Sequence, residues 1–298
     1  MSFSSDIKQE LAALRNESRC CDTAQAYGMA EFGHAFCASS VALQTEHEAV
    51  ATRYAELLTA VSGTEPLCSR PAADKTGMYV VSVPPDSRNT VLGIFGHGGA
   101  EVTLRINRAV LDCDACAAAF LRGVFLVCGV ITNPQVDYHL EFSVPHLNLS
   151  RDLTALLGEL GFHARTVRRK GNYIIYFKES EQIEDCLTLM GAVNASLELM
   201  NVKILKSIRN NVNRAANCES ANLDKTVAAA LGQAEAVRKI VACIGIDALP
   251  EELRELCRLR LENPDYSLRE LGEQLEPPIS RSGVNHRLRR ILAIAEEL

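Results

Sequence analysis

Two stretches of this chain, separated by about 95 residues, read alike, and a duplication constrains a fold more tightly than any single pattern. Helix-like Thr23 to Phe36 (TAQAYGMAEFGHAF) is echoed by Cys116 to Gly129 (CAAAFLRGVFLVCG). Strand-like VALQTE (41–46) follows the first and DYHLEFSV (137–144) the second. The next segments, 47–63 and 148–161, carry apolar residues at helical spacing: Val50, Tyr54, Leu57, Leu58 and Val61, then Leu153, Leu156, Leu157 and Leu160. The β-branched and aromatic runs GMYVVSV (77–83) and GNYIIYF (171–177) then match. Each is preceded by a short extended segment and a polar turn, LCSRPAADKTG and HARTVRRKG. Each half therefore reads α-β-α-β-β-α. Packing the small-residue helices of the two halves together predicts a pseudo-two-fold α+β domain.

A second block begins near Asn210. The polar run NNVNRAANCES reads as a linker over 210–221, and Asn222 to Ile244 is alanine-rich and helical. A short turn, Gly245 to Pro250, leads to a helix over 251–262 that Pro264 stops. Ser267 and Glu270 form a capping box. Leu268, Leu271 and Leu275 give the helix they start an apolar face, and Gly272 is small enough for close crossing. Pro277 and Pro278 force a turn, and Ser280 can cap a last helix striped by Val284, Leu288, Ile291 and Ala295. This predicts a helix-turn-helix over 267–298. Near the start and opposite the stripe lie Ser280, Arg281, Ser282, Asn285, His286, Arg289 and Arg290, residue types suited to phosphates and base edges. From Glu276 to Glu296 there are four arginines and no acid between the two ends. A weaker basic signal lies on the expected 163–178 hairpin, with Arg165, Arg168, Arg169 and Lys170 as a secondary DNA contact. Another lies at Lys203, Lys206, Arg209 and Arg214.

These features resemble the WhiA family of bacterial sporulation and cell-division regulators. The resemblance runs through MSFSSDIKQEL, FLRGVFLVCGVITNPQVDYHLEF, RNNVNRAANCESANLDKT, ALPEELRELCRLRLENP and SGVNHRLRR, and so covers essentially the whole chain. It implies a LAGLIDADG homing-endonuclease fold, in halves 1–105 and 106–209, joined to an all-α DNA-binding domain at 222–298 that is similar to a sigma-factor region. The function implied is a transcriptional regulator of cell division, chromosome segregation and, in spore formers, sporulation. The expected partner is double-stranded DNA, with a sigma factor or division protein as a further candidate.

Aligned by glycines, Leu121–Gly129 overlays the LAGLIDADG motif and puts Cys128 where the magnesium-binding acid belongs; Ala26–His34 puts Gly33 there. Glu31 lies two residues earlier, about 200° around a helix, and is expected to face elsewhere. A glycine offers no ligand side chain and a thiol is a soft donor poorly matched to magnesium. No catalytic residue is therefore expected, and a nuclease remains the alternative, beside a protein-interaction module.

Bulk properties fit this reading. The formal charge of -6 argues against wholesale coating of nucleic acid or membrane but leaves local basic faces free to bind DNA. No apolar run approaches the ~20 residues of a membrane span, no charged-then-apolar leader opens the chain, and a cytoplasmic, nucleoid-associated protein is expected. The eleven cysteines pair closely only at Cys20-Cys21 and Cys113-x-x-Cys116; they read as reduced, mostly buried small hydrophobes, with no metal or cofactor expected. The seven histidines are scattered, and FGHGGA (95–100) lacks the Lys-Ser/Thr of a phosphate loop, so it reads as a helix end and turn.

Overall fold

The computed structural model describes residues 2–70, 77–98 and 103–298. The polar turn at 71–76 and the last two residues of FGHGGA lie outside the described residues. The chain forms two compact units, Met1–Lys206 and Ser207–Leu298.

In the first unit the chain runs α1 (Phe3–Ala13), α2 (Arg19–Glu31), β1 (Ala35–Cys37), β2 (Ser40–Thr45), α3 (Glu48–Ser62), β3 (Leu67–Ser69), β4 (Tyr79–Ser82) and α4 (Arg88–Ile94). It repeats as α5 (Asp114–Cys128), β5 (Gly129–Ile131), β6 (Leu140–Val144), α6 (Leu147–Glu159), β7 (Arg165–Arg169), β8 (Asn172–Phe177) and α7 (Ser180–Met190). The two antiparallel sheets have the same strand order, β1-β2-β4-β3 and β5-β6-β8-β7, which is the duplication expressed in hydrogen bonds.

Each half holds one strand more than the sequence pattern predicts. Ala35 and Phe36, expected at the end of a helix, belong to β1, and Gly129 opens β5. Each new strand is only three residues long, too short to show a period of two. Helix α2 stops at Glu31 because the chain must turn back at Gly33, where a Cβ would sit 3.0 Å from the carbonyl oxygens of Met29 and Ala30 and 3.1 Å from that of Ala42.

The seam between the halves is the packing of α2 on α5, helices that run side by side in the same direction. A Cβ on Gly28 would lie 2.5 Å from the Phe120 carbonyl oxygen, and one on Gly123 would lie 2.3 Å from that of Gln25. Hydrogen at these two positions lets the backbones touch. Tyr27, Met29, Phe120, Val124 and Phe125 close the seam, all buried completely.

Helix α8 (Val193–Cys243) carries the boundary between the units. The 210–221 run, expected to be a linker, is helical throughout and exposed. It holds no proline or glycine to break the backbone pattern, and alanine and arginine favour continuation. In the second unit Val237 and Ile240 of α8 pack with α9 (Glu251–Glu262), α10 (Leu268–Gln274) and α11 (Arg281–Glu297). Leu253, Leu256, Leu271, Leu275, Val284, Leu288 and Ile291 make the core, each at most 1% exposed. Buried Arg260 ties the α9–α10 turn by donating to the carbonyl oxygens of Pro264 at 3.2 Å and Tyr266 at 2.8 Å. Among the described residues no helix is long and apolar enough to cross a membrane.

Candidate nucleic-acid interface

The helix-turn-helix is built as its local sequence dictates. Ser267 Oγ accepts from Glu270 N, and the Glu270 carboxylate accepts from Ser267 N, so both partners of the capping box are made. Gly272 lies against the turn that follows: a Cβ there would meet the Ile279 carbonyl oxygen at 2.3 Å and Val284 Cγ2 at 3.1 Å. Ile279 N in turn donates to Gly272 O at 3.0 Å. Ser280 caps α11, its Oγ accepting from Gly283 N at 3.2 Å.

Burying Val284, Leu288, Ile291 and Ala295 turns the opposite side of α11 outward. Ser280, Arg281, Ser282, His286, Arg289 and Arg290 are exposed and Asn285 is half-buried. They do not stand alike. Arg290 is ion-paired to Glu252 of α9, whose carboxyl that guanidinium holds below its usual range. Arg287 donates to the Glu252 carbonyl oxygen at 3.1 Å. These two arginines fasten α11 to α9, and Arg281, Ser282, Asn285, His286 and Arg289 form the outward face.

The hairpin of the first unit presents a second basic edge. All five residues of β7 are exposed. Arg169 pairs with Asn172 across a two-residue turn in which Lys170 has φ 50° and Gly171 φ 89°, both positive as a type I′ turn requires. Arg168 lies 5.7 Å over the Tyr173 ring, and Arg165 is paired with Glu179 at 3.4 Å. The basic residues beyond α7 are partly engaged: Lys203 pairs with Glu181 and Glu184, and Lys206 donates to the Pro134 carbonyl oxygen at 2.7 Å.

At the C-terminal ends of α2 and α5, where a homing endonuclease keeps its acids, the chemistry differs. Gly33 offers no side chain. Cys128 donates to the Val124 carbonyl oxygen at 3.4 Å, and burial pushes its thiol up to about 12; sulfur is in any case a soft donor poorly matched to magnesium. The largely buried ammonium of Lys8 acts on it from α1. The expectation that Glu31 faces away from position 33 fails. It assumed helix through 33, whereas α2 ends at Glu31, and both residues line one cavity of about 450 Å³ with His34 and Phe36. Among the described residues no group of three or more His, Cys, Asp or Glu donors gathers around Glu31, although the charge of Asp152 reaches it. Glu31 is 2% exposed, Oε1 lies 3.9 Å from His97 Nε2, and burial pushes its carboxyl up to about 8.

That value carries a prediction. A carboxyl raised on folding binds its proton more tightly in the folded chain. Stability is therefore greatest below the unfolded carboxylate range and falls as pH rises toward 8, where the penalty is complete. Glu31→Gln keeps the shape and removes the charge. It is expected to differ little from the wild type near pH 5 and to exceed it at pH 8.5 by roughly 4 kcal/mol. Thermal melts across this range check it; a gap that does not widen with pH would reject the buried, protonated carboxyl.

The two close cysteine pairings of the sequence, Cys20-Cys21 and Cys113-x-x-Cys116, come together in the fold. Because α2 and α5 run together, their first turns converge, and the sulfurs of Cys20, Cys21, Cys113 and Cys116 all lie within 4.8 Å of one another. One signal was available in the repeat: Cys21 and Cys116 are 95 residues apart, the spacing that also relates Gly28 to Gly123.

The duplicated sheets, the glycine seam and the capped α10–α11 pair together define a LAGLIDADG-like domain joined to a helix-turn-helix module. Residues 117–209 match the family described as the WhiA LAGLIDADG-like domain, and residues 212–295 the WhiA C-terminal HTH domain. The chain belongs to the WhiA family. A protein of Alkaliphilus metalliredigens named probable cell division protein WhiA is 38% identical over 310 aligned residues, covering 99% of this chain and 98% of that one. One of Clostridium botulinum with the same name is 50% identical over 193 residues, 65% of this chain, and the match spans only 61% of that relative's length. The crystal structure of full-length DUF199/WhiA from Thermatoga maritima superposes with a TM-score of 0.60 at 23% identity, covering 100% of this chain and 99% of that one, and so shares the fold.

Proposed function

We propose that the protein is a non-enzymatic, cytoplasmic and nucleoid-associated transcriptional regulator of cell division, chromosome segregation and, in spore formers, sporulation. In this reading α11 enters a major groove of duplex DNA. The observation that carries it is the outward face of α11: Arg281, Ser282, His286 and Arg289 are exposed beside half-buried Asn285 on a helix fixed at both its cap and its flank. Arg and Asn are the side chains that read guanine and adenine edges, and an exposed serine and arginine at a helix N-terminus suit phosphate. The β7 hairpin supplies a second, sequence-independent contact through Arg165, Arg168, Arg169 and Lys170. The donor chemistry supports the non-enzymatic reading: Gly33 supplies no ligand side chain and Cys128 offers soft sulfur where magnesium takes hard oxygen.

Arg289→Ala is expected to weaken binding of the full chain to its DNA site by about 1–3 kcal/mol with no change in melting temperature. Reversing Arg168, Arg169 and Lys170 to Glu is expected to weaken all sequences alike and to flatten the salt dependence of binding. Sites are first located by genome-wide mapping, and affinities are then measured across salt. Unchanged affinity for Arg289→Ala would overturn the face assignment, and an unchanged salt slope would remove the hairpin from the interface. Magnesium-dependent cleavage of duplex DNA by the purified protein would overturn the non-enzymatic reading.

A further inference from the structure

We propose that Cys20, Cys21, Cys113 and Cys116 bind one zinc ion, which clamps the first turns of α2 and α5 and so fastens the two halves of the duplicated domain. This site lies at the opposite end of both helices from Gly33 and Cys128, and it stands or falls independently of the DNA-binding reading.

The distances describe a centre and not a pair. Cys113 Sγ lies 3.6 Å from Cys20 Sγ, 3.6 Å from Cys21 Sγ and 3.4 Å from Cys116 Sγ, while Cys21 and Cys116 are 4.0 Å apart. A disulfide would single out one partner for Cys113, but three sulfurs surround it almost equally. Four thiolates about 2.3 Å from a tetrahedral zinc stand about 3.8 Å from one another, and the four distances above bracket that spacing, with all four sulfurs within 4.8 Å of one another. An iron–sulfur cube places several metal and sulfide atoms between its cysteines and needs a wider cage. Four sulfur donors without an oxygen select a soft or borderline cation over magnesium or calcium.

The backbone gives independent support. Cys113 is the N-cap residue of α5, and its side chain makes no capping hydrogen bond. Its counterpart at the N-cap of α2 is Ser18, which does cap, accepting from Cys21 N at 3.4 Å. The second half thus carries, in place of a capping hydroxyl, a thiol turned toward the other three sulfurs. The first turns of both helices present their positive ends to this point, which favours the net negative charge of a four-thiolate zinc centre. Cys21 and Cys116 are buried and Cys113 is exposed, so the centre is enclosed by protein on one side and reachable from solvent on the other.

The linkage has a structural consequence. Cys20 and Cys113 are 93 residues apart, so the ion closes a loop that contains the entire first α-β repeat. Hydrogen-sized glycines let α2 and α5 touch midway, and the ion pins their beginnings.

The test uses the full chain, purified under reducing conditions without added metal. Elemental analysis is expected to find about one zinc per chain. Replacing it with cobalt(II) is expected to produce the strong visible bands of a tetrahedral site together with intense near-ultraviolet thiolate-to-cobalt charge transfer. Cys113→Ser and Cys116→Ser should lose the metal, whereas Cys37→Ser and Cys68→Ser, exposed thiols elsewhere, should keep it. Chelation should lower the melting temperature of the wild type and leave that of any folded Cys116→Ser protein unmoved. If the serine variants fail to fold, the cobalt spectrum of the wild type decides. Metal-free protein that takes up no cobalt, a spectrum without thiolate charge transfer, iron with acid-labile sulfide, or a disulfide among these four cysteines under the same reducing conditions would each overturn the proposal.

Discussion

Gly123→Val is expected to lower the melting temperature of the first unit by at least about 6 °C, corresponding to roughly 3 kcal/mol or more. The added Cβ would lie 2.3 Å from the carbonyl oxygen of Gln25 and 3.2 Å from Met29 N. Both are backbone atoms of the facing helix, so no side chain can swing aside to make room. The helices must part, and parting them opens gaps along Tyr27, Met29, Phe120 and Val124, all fully buried. Two further methyl groups worsen the clash. Gly28→Val is expected to behave the same way, because its Cβ would meet the Phe120 carbonyl oxygen at 2.5 Å from the other side of the seam. Gly158 serves as the control. It is an exposed residue of α6 with nothing within 4 Å of a built Cβ, so Gly158→Ala is expected to be neutral or to stabilise by about 0.5–1 kcal/mol. If Gly123→Val melts as the wild type does, the seam is not the structural joint of the duplication.

Where the sequence was legible, the same residues decide local and tertiary structure together. The apolar stripe of α11, its Ser280 cap and the Ser267–Glu270 box each act within a few positions, and the structure realises all three. Helix α9 spans 251–262 because its apolar face, Leu253, Leu256 and Cys257, ends where Pro264 forbids continuation. The halves were legible because the run from α2 to α4 recurs as α5 to α7. Features set by contacts between distant segments were not. β1 and β5 exist because β2 and β6 are beside them, and three residues hold no period. The 210–221 run is polar enough to read as a linker, yet nothing in it opposes a helix. Glu31 was placed by extending a helical wheel beyond the last helical residue.

The cysteines show the same limit most clearly. Cys20-Cys21 and Cys113-x-x-Cys116 are each half of a ligand set, and neither half is informative alone. Only the parallel run of α2 beside α5 makes them one group. The duplication therefore acts at both ends of a single pair of helices. At their C-terminal ends it leaves Gly33, which has no side chain, and Cys128, a soft donor. At their N-terminal ends it assembles four sulfurs. What the seam preserves is the relative placement of the two halves.

Val284→Asp is expected to unfold the core of the second unit and to abolish DNA binding by that route, an effect of about 4 kcal/mol or more. Val284 is completely buried on α11, with its Cγ2 beside Gly272 of α10. Removing the side chain from the core forfeits roughly 1.5 kcal/mol of apolar burial. The larger cost is a carboxylate placed among Leu253, Leu271, Leu288 and Ile291 without a partner, which is worth several kcal/mol more unless it binds a proton. Low pH is therefore expected to restore part of the stability, since protonation removes the charge but leaves the hydroxyl unpaired. Hydrogen exchange should show amides of α9, α10 and α11 losing protection while those of β2, β6 and β8 keep it, because the two units have separate cores. Arg289→Ala, one turn further along the same helix but on its exposed side, is expected to lose DNA affinity with protection intact. The pair separates the two sides of α11. If Val284→Asp retains protection throughout α9–α11, the stripe is not the packed side, and the outward face assigned to DNA loses its physical basis.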